Sequence, residues 1–324
     1  MTATTIFFLI VGFFLLYYGA EWLVRGAASF AHNIGVRPIV IGLTIVAFAT
    51  SSPELFIGVV ASYQGKGDIV LGNVVGSNII NIGLILGVSA ILSPLVCRMK
   101  TVKNEIPIML AGTLVLLLLS FDGTISRVEG LFLFMGILAF IFFSYVVGIR
   151  EQVSREEIVP VGLMNIVAGR RRLSKEIGLM IGGLFGIVLG AHLLVESAVD
   201  IARAFGVSEK FIGLTMVAGG TSLPELATSA VAALRKQSEI SVGNIIGSNI
   251  FNIFSIVGIA ALVKPMSMTD GFIQSGFIID YVIMLFFSLL LLPIMLTNYR
   301  ISRIEGVLLV VLYSSYIAWL SYQG

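Results

Sequence analysis

Long apolar stretches alternate with short polar breaks along the whole chain. Runs at 6–18, 106–121, 131–149, 277–296 and 307–320 each fill most of the about 20 residues that a helix needs to cross a bilayer. Between them lie segments of similar length, still apolar but interrupted by Gly, Ser, Thr, Asn, Pro and Glu. The pattern predicts ten helical crossings, at about 5–30, 38–63, 69–93, 105–120, 128–148, 176–203, 209–234, 240–262, 273–296 and 304–322. The first run has no charged residues before it, and Glu21, Trp22 and Arg25 continue it, so a first transmembrane helix is expected rather than a cleaved leader.

The pattern repeats itself. Shifted by 171 residues, GLTIVAFATSSPELFIGVVAS (42–62) aligns with GLTMVAGGTSLPELATSAVAA (213–233), and GNVVGSNIINI (72–82) with GNIIGSNIFNI (243–253). Over 42–91 against 213–262, 24 of 50 positions are identical without a gap. The matches include Thr, Ser, Pro, Glu and Asn, which shared hydrophobicity does not produce, so the chain is read as a duplication. Five crossings per copy is an odd number, so the second copy enters the membrane from the opposite side, as in the inverted repeats of secondary transporters. The expected organisation is a first repeat at 1–149, a cytosolic linker at 150–175 and a second repeat at 176–324. The expected fold class is therefore an all-α membrane protein of two inverted five-helix repeats, with helices broken at the midplane.

Composition agrees with lipid as the solvent. Hydrophobic residues make up 57% of the 324 positions, and charged residues only 12%, about half the usual share of a soluble domain. Mean hydropathy is +1.04. The net charge of +2 gives no basis for nucleic-acid binding, and the single cysteine, Cys97, excludes an internal disulfide or a thiolate metal cluster. Lys and Arg are unevenly placed: loops near 37, 98–103, 150–175, 235–236 and 300–303 hold 14, and the opposite loops hold 5. The positive-inside rule makes the first group cytoplasmic and predicts extracytoplasmic termini in the cell membrane. The run Arg170-Arg171-Arg172 then serves as a topology anchor.

The candidate chemistry lies in TSSPE (50–54) and TSLPE (221–225). A carboxylate near the bilayer midplane costs at least about 2.5–3.5 kcal/mol and must face a partner or a wet cavity. Glu54 and Glu225 hold equivalent repeat positions, so a pseudo-two-fold axis would bring them together, and adjacent carboxylates repel unless a cation or proton intervenes. Pro53 and Pro224 lack the N–H that would bond the carbonyls of Ala49 and Gly220, so each helix should break there and free backbone oxygens. Thr50 shares a helix face with Glu54, and Thr221 with Glu225. In the second motif Ser77 and Asn81 present oxygens on one face, as do Ser248 and Asn252. Asn73, Asn78, Asn244 and Asn249 are read as interhelical hydrogen-bonding residues, and the pairs Gly72/Gly76 and Gly243/Gly247 as sites of close helix approach. Oxygen donors without Cys or a well-placed His suit hard cations such as Ca²⁺, Na⁺ or Mg²⁺. Simple helix kinks are the alternative for one copy of such a motif; two copies, each with a Glu, favour a site. Glu21 and Arg25 are spaced to pair with each other, as are His192 and Glu196.

On these motifs the chain resembles the Ca²⁺/cation antiporters, which include the sodium/calcium exchangers. The marks are the paired G-[TG]-S-x-P-E and G-N-x-x-G-S-N repeats, here ATSSPE, with Ala49 where Gly is usual, and GTSLPE. The length and short linker are similar to the prokaryotic branch. The resemblance implies cation sites lined by Ala47, Thr50, Ser51, Glu54, Ser77 and Asn81, and by Ala218, Thr221, Ser222, Glu225, Ser248 and Asn252. Some members carry Asp in place of Asn252; Asn removes one negative charge and weakens the case for potassium co-transport. The resemblance implies no cofactor, only Ca²⁺ and Na⁺ as cargo. Two carboxylates give about −2, which one Ca²⁺ or two Na⁺ neutralise, so loaded states cross while an empty site is hindered. A third Na⁺, which the resemblance implies, would make the cycle electrogenic. The alternatives are an H⁺-coupled Ca²⁺ exchanger or a monovalent cation/H⁺ antiporter using the same glutamates, and, less favoured, an ion channel. An enzyme is disfavoured because no nucleophile–base pair accompanies the carboxylates.

Overall fold

The computed structural model describes residues 3–156, 166–205, 218–268, 271–274, 276–296 and 299–323. Its long helices are α1 (Ala3–Asn33), α2 (Pro38–Thr50), α3 (Ser52–Tyr63), α4 (Gly67–Leu92), α5 (Met99–Leu119) and α6 (Arg127–Glu156). They are followed by α7 (Ile166–Ala204), α8 (Leu223–Leu234), α9 (Ser238–Val263), α10 (Phe277–Leu296) and α11 (Arg303–Gln323). Among the described residues eight helices are long and apolar enough to cross a membrane, or nine if α2 and α3, bent by 47° at their junction, are counted as one span. The crossing expected at 209–234 lies outside the described residues as far as 217; its remainder is the turn Ala218–Gly220 and α8. Within the expected linker at 150–175, α6 runs on to Glu156 and α7 starts at Ile166. Charged residues are good helix formers in water, so the end of an apolar run need not end its helix.

Burial sorts the helices into layers. α4 and α9 are the most enclosed, and with α3, α5 and α10 they surround one core that includes Leu71, Ile79, Ile82, Ile250, Ile253 and Phe287. Large apolar side chains on the outer helices, such as Phe7, Phe13, Phe132, Phe142 and Ile304, face outward, as lipid-facing side chains do. The helices that begin α6 and α11 carry the same start signal. The Ser126 N–H and hydroxyl donate to Glu129 Oε2 at 2.7 and 2.8 Å, and Ser302 with Glu305 repeats the arrangement, satisfying otherwise orphaned donors.

Two small antiparallel ribbons tie the halves together. β1 (Leu95–Val96) pairs with β4 (Arg300–Ile301), and β2 (Thr124–Ile125) with β3 (Met266–Ser267). Cys97 follows β1, and its N–H donates to the Tyr299 carbonyl at 2.8 Å. Burial pushes its thiol up to about 12. Because only the thiolate attacks an electrophile, Cys97 is expected to resist maleimide at pH 8 in the folded protein and to react once denatured. Rapid labelling of the native protein, read by mass spectrometry, would contradict this placement.

α1 and α7 run antiparallel in close contact along their length. A Cβ on Gly12 would lie 2.9 Å from the Gly190 carbonyl, one on Gly19 2.8 Å from that of Gly183, and one on Gly26 2.9 Å from that of Glu176. At the end of this seam the buried Glu176 accepts hydrogen bonds from the Ser29 hydroxyl at 2.6 Å and from the Asn33 amide.

The pairing expected for Glu21 is incomplete. Arg25 does reach it, Nε to Oε1 at 2.5 Å, but Arg235 after α8 also grips both oxygens, at 2.6 and 2.7 Å. A buried carboxylate needs more than one exposed arginine can supply, and the second partner comes from 214 residues away. His192 and Glu196 pair with each other at 3.4 Å on an exposed face, as their spacing predicts. Asp280 accepts a hydrogen bond from Tyr316 of α11 at 2.8 Å.

Candidate functional site

The two TSxPE segments meet inside the helix core. In each, Pro stands in the first turn of a new helix, and the preceding Ser leaves helical geometry: Ser51 has ψ 7° and Ser222 ψ 5°. The missing proline N–H and the clash of its ring with the preceding turn account for the break. The break turns each serine across to the opposite copy. The Ser51 hydroxyl donates to Glu225 Oε1 at 2.9 Å, and the Ser222 hydroxyl to Glu54 Oε1 at 3.5 Å. Thr221 also approaches Glu54, and Thr50 and Ser248 approach Glu225. Both carboxylates are 1% exposed and feel each other's charge.

The second motif closes the site. α4 and α9 each open into a π-helical turn, at Asn81–Leu86 and Asn252–Val257, beginning at the expected ligand. Such turns are rare and cluster at functional sites, because the extra residue re-aims the side chains around it. α3 packs on the Asn252–Val257 turn and α8 on the Asn81–Leu86 turn, so each asparagine stands beside the opposite copy's glutamate helix. The sequence carries no mark of these turns beyond the Asn that opens each.

Most of the expected site residues are buried here: Ala47, Thr50, Ser51, Glu54, Ser77, Asn81, Ser222, Glu225, Ser248 and Asn252. Thr221 is half-buried and, with Pro53 and Pro224, lines a cavity of about 460 Å³ whose far wall is α7 at Phe185, Leu189 and His192. Ala218 opens the helical turn Ala218–Gly220, and its side chain lies outside the described residues. The Ala47 carbonyl accepts the Ser51 N–H at 3.0 Å and, more distantly, the Thr50 hydroxyl at 3.3 Å. The Thr50 proton goes at shorter range, 3.0 Å, to Asn244 Oδ1, and the Asn244 amide donates to the Ser229 hydroxyl at 2.9 Å. Asn244 is thus the interhelical hydrogen-bonding residue that its position predicts. Of the glycine pairs, Gly243 and Gly247 press on the α2 backbone, with Cβ positions 2.9 Å from the Ile39 carbonyl and 2.6 Å from that of Leu43. Gly72 and Gly76 make no such approach among the described residues.

Within the expected site, the Ser248 hydroxyl and four carboxylate or amide oxygens lack a hydrogen-bond partner among the described residues, the four being Glu54 Oε2, Glu225 Oε2, Asn81 Oδ1 and Asn252 Oδ1. A buried polar atom left unpaired costs about 1–3 kcal/mol, and more if charged, so four together call for a ligand. The donor set is two carboxylates with amide and hydroxyl oxygens. It fits a hard cation such as Ca²⁺, which takes roughly 6–8 oxygens. Among the described residues no three His, Cys, Asp or Glu side chains cluster, so the donors beyond the glutamates are neutral.

The chain is similar in sequence and in overall fold to known proteins. A family model described as sodium/calcium exchanger protein matches residues 4–146 and 175–322. The chain is 36% identical to the putative antiporter CaxA of Alkalimonas amylolytica, over 98% of each chain. It is 33% identical to the sodium/calcium exchanger MaX1 of Methanosarcina acetivorans, over 99% of this chain and all of that one. A solved structure of the sodium-calcium exchanger NCX_Mj superposes with a TM-score of 0.84 at 32% identity, covering 98% of this chain and 99% of that one. With its all-helical membrane fold and an exchanger model matching both copies of the repeat, the chain belongs to the sodium/calcium exchanger family.

Proposed function

We propose that the chain is a secondary active antiporter that exchanges Ca²⁺ for Na⁺ by alternating access at one site shared by Glu54 and Glu225. The observation that carries this reading is the set of four orphaned oxygens, two from the glutamates and two from Asn81 and Asn252. The proposed lining is Thr50, Ser51, Glu54, Ser77 and Asn81 with Thr221, Ser222, Glu225, Ser248 and Asn252, and the backbone at Ala47 and Ala218. The names of the relatives support the pairing of ions, and the pair of carboxylates supports the exchange: about −2 of charge matches one Ca²⁺ or two Na⁺.

The proposed architecture is ten crossings in two inverted repeats, 1–149 and 176–324, in the cell membrane. Three observations support inversion. α1 and α7, equivalent under the 171-residue offset, lie antiparallel. The strand after α4 pairs with the one before α11, and the strand after α9 with the one before α6. The serine–glutamate bonds cross between copies in both directions. The charge bias of the loops, 14 against 5, supports extracytoplasmic termini.

In proteoliposomes loaded with Na⁺ and diluted into Na⁺-free buffer, the protein is expected to accumulate radiolabelled Ca²⁺, and dissipating the Na⁺ gradient should stop it. Gradients of K⁺ alone should drive nothing. Uptake driven by a pH gradient without Na⁺ would overturn Na⁺ as the counter-ion and assign an H⁺-coupled exchanger. Ca²⁺ currents that need no counter-ion would assign a channel.

A further inference from the structure

Four asparagines, not two, are built into the site. The amide of Asn252 donates to Asn78 Oδ1 at 3.0 Å, and the amide of Asn81 donates to Asn249 Oδ1 at 2.9 Å. Each bond crosses between copies of the repeat, and all four side chains are buried. An asparagine amide can present either its oxygen or its nitrogen to a neighbour, so something must decide which way it points. For Asn81 and Asn252 the decision is made by the acceptor behind them. With the NH₂ group held by Asn249 or Asn78, the oxygen is turned away and left free, which is how both Oδ1 atoms stand.

The same question passes back one step, and the answer there is a sulfur. The Asn249 amide nitrogen lies 3.7 Å from Met109 Sδ, and that of Asn78 lies 3.6 Å from Met284 Sδ and 3.4 Å from the Asn249 carbonyl. A thioether has no proton to give and accepts weakly, so only an N–H can face it usefully. Were Asn249 turned over, its oxygen would face the sulfur and its NH₂ would face the NH₂ of Asn81, and both contacts would be lost. Met109 and Met284 are fully buried in α5 and α10. They are not equivalent under the 171-residue offset, which pairs Met109 with Asp280 and Met284 with Thr113. The two copies thus reach the same polarity from different positions.

We infer that Asn78 and Asn249 are positioning residues of the cation site, which orient the Asn252 and Asn81 amide oxygens toward the ion, with Met284 and Met109 setting the direction. The inference rests on the shared-site function proposed above. Neither residue touches the ion. Their effect passes through the asparagine in front of them.

The test is a double-mutant cycle in reconstituted full-length protein, read as the KM for Ca²⁺ and the maximal rate. Asn249→Leu removes the acceptor at similar volume and is expected to raise the KM by about five-fold or more with a smaller change in rate, since a hydrogen-bonded ligand to a charge is at stake. Asn81→Ala should raise the KM at least as far. If Asn249 acts through Asn81, adding Asn249→Leu to Asn81→Ala raises it no further; an equal added loss would show a structural role and overturn the inference. Met109→Leu, a volume-conserving change that should fold even if Asn249→Leu does not, is expected to raise the KM about two-fold or more in the wild-type background and to have no effect in Asn81→Ala. An unchanged KM in Met109→Leu and Asn249→Leu, with normal Ca²⁺ transport by the wild type, would sink the positioning role and leave the shared site standing. Absent Ca²⁺ transport by the wild type would instead sink the shared site.

Discussion

With Glu54 or Glu225 changed to glutamine, Na⁺-driven Ca²⁺ uptake is expected to fall on the order of a hundred-fold or more, while the protein remains folded. Glutamine keeps the shape and one oxygen of each side chain and removes only the charge. Both carboxylates are buried to 1% exposure, with one oxygen held by a serine of the opposite copy and the other free. A divalent cation placed between them would lose half of its compensating charge in a site with little water. Removing one member of a buried ionic contact costs about 3–5 kcal/mol, which converts to the loss stated.

Stability should move in the opposite direction. Without a cation the two carboxylates repel each other, so a glutamine at either position relieves the ion-free protein. The variant should therefore melt no lower than wild type in the presence of a chelator. Added Ca²⁺ should raise the melting temperature of wild type, because it binds the folded state alone, and should leave both variants unmoved. The two variants should behave alike, since Ser51–Glu225 and Ser222–Glu54 are reciprocal contacts. Uptake that survives in either variant, or a Ca²⁺-induced thermal shift in both, would place the ion elsewhere.

That much of the candidate site was legible from residues alone because the informative ones are costly in lipid. A Glu, a Pro or an Asn in an apolar helix has to be accommodated, and finding each twice at one offset identifies Glu54 with Glu225 and Asn81 with Asn252. The apolar cores of the helices were legible for a similar reason, although α6 and α7 run on past theirs. Long-range choices were not. Nothing near Glu21 announces Arg235, which lies 214 residues away and replaces a simple local pair with a three-residue cluster. The π-helical turns at Asn81 and Asn252 depend on how α4 and α9 pack rather than on any local propensity. Asn78 and Asn249 looked like hydrogen-bonding residues between helices, and they are. Which way their amides point is decided by Met109 and Met284, ordinary core residues whose role no spacing rule reveals.

The glycine seam between α1 and α7 shows the same division. Gly12, Gly19 and Gly26 recur every seven residues, as do Gly183 and Gly190 beyond Glu176, so one face of each helix is visibly bare. The partner and register emerge only when the helices are laid together, Gly12 on Gly190 and Gly19 on Gly183. Helices in lipid gain little from hydrophobicity and associate through close packing, which bare backbones allow. Gly183→Val and Gly190→Val are therefore expected to yield little or no monodisperse protein. A Cβ at Gly183 would stand 2.5 Å from the Leu23 nitrogen, and one at Gly190 2.5 Å from that of Leu16. Overpacking costs about 1–3 kcal/mol when side chains can yield; here the obstacle is backbone, which can only move with its whole helix. The controls are on the same helix. Gly178 and Gly182 meet nothing within 4 Å among the described residues, so Gly178→Ala and Gly182→Ala should melt at or slightly above wild type, gaining about 0.5–1 kcal/mol of helix propensity. Size-exclusion yield and melting temperature across the four variants decide the matter. Tolerated valines at 183 and 190 would mean that α1 and α7 do not share this seam, and the antiparallel register that supports the inverted architecture would fall with it.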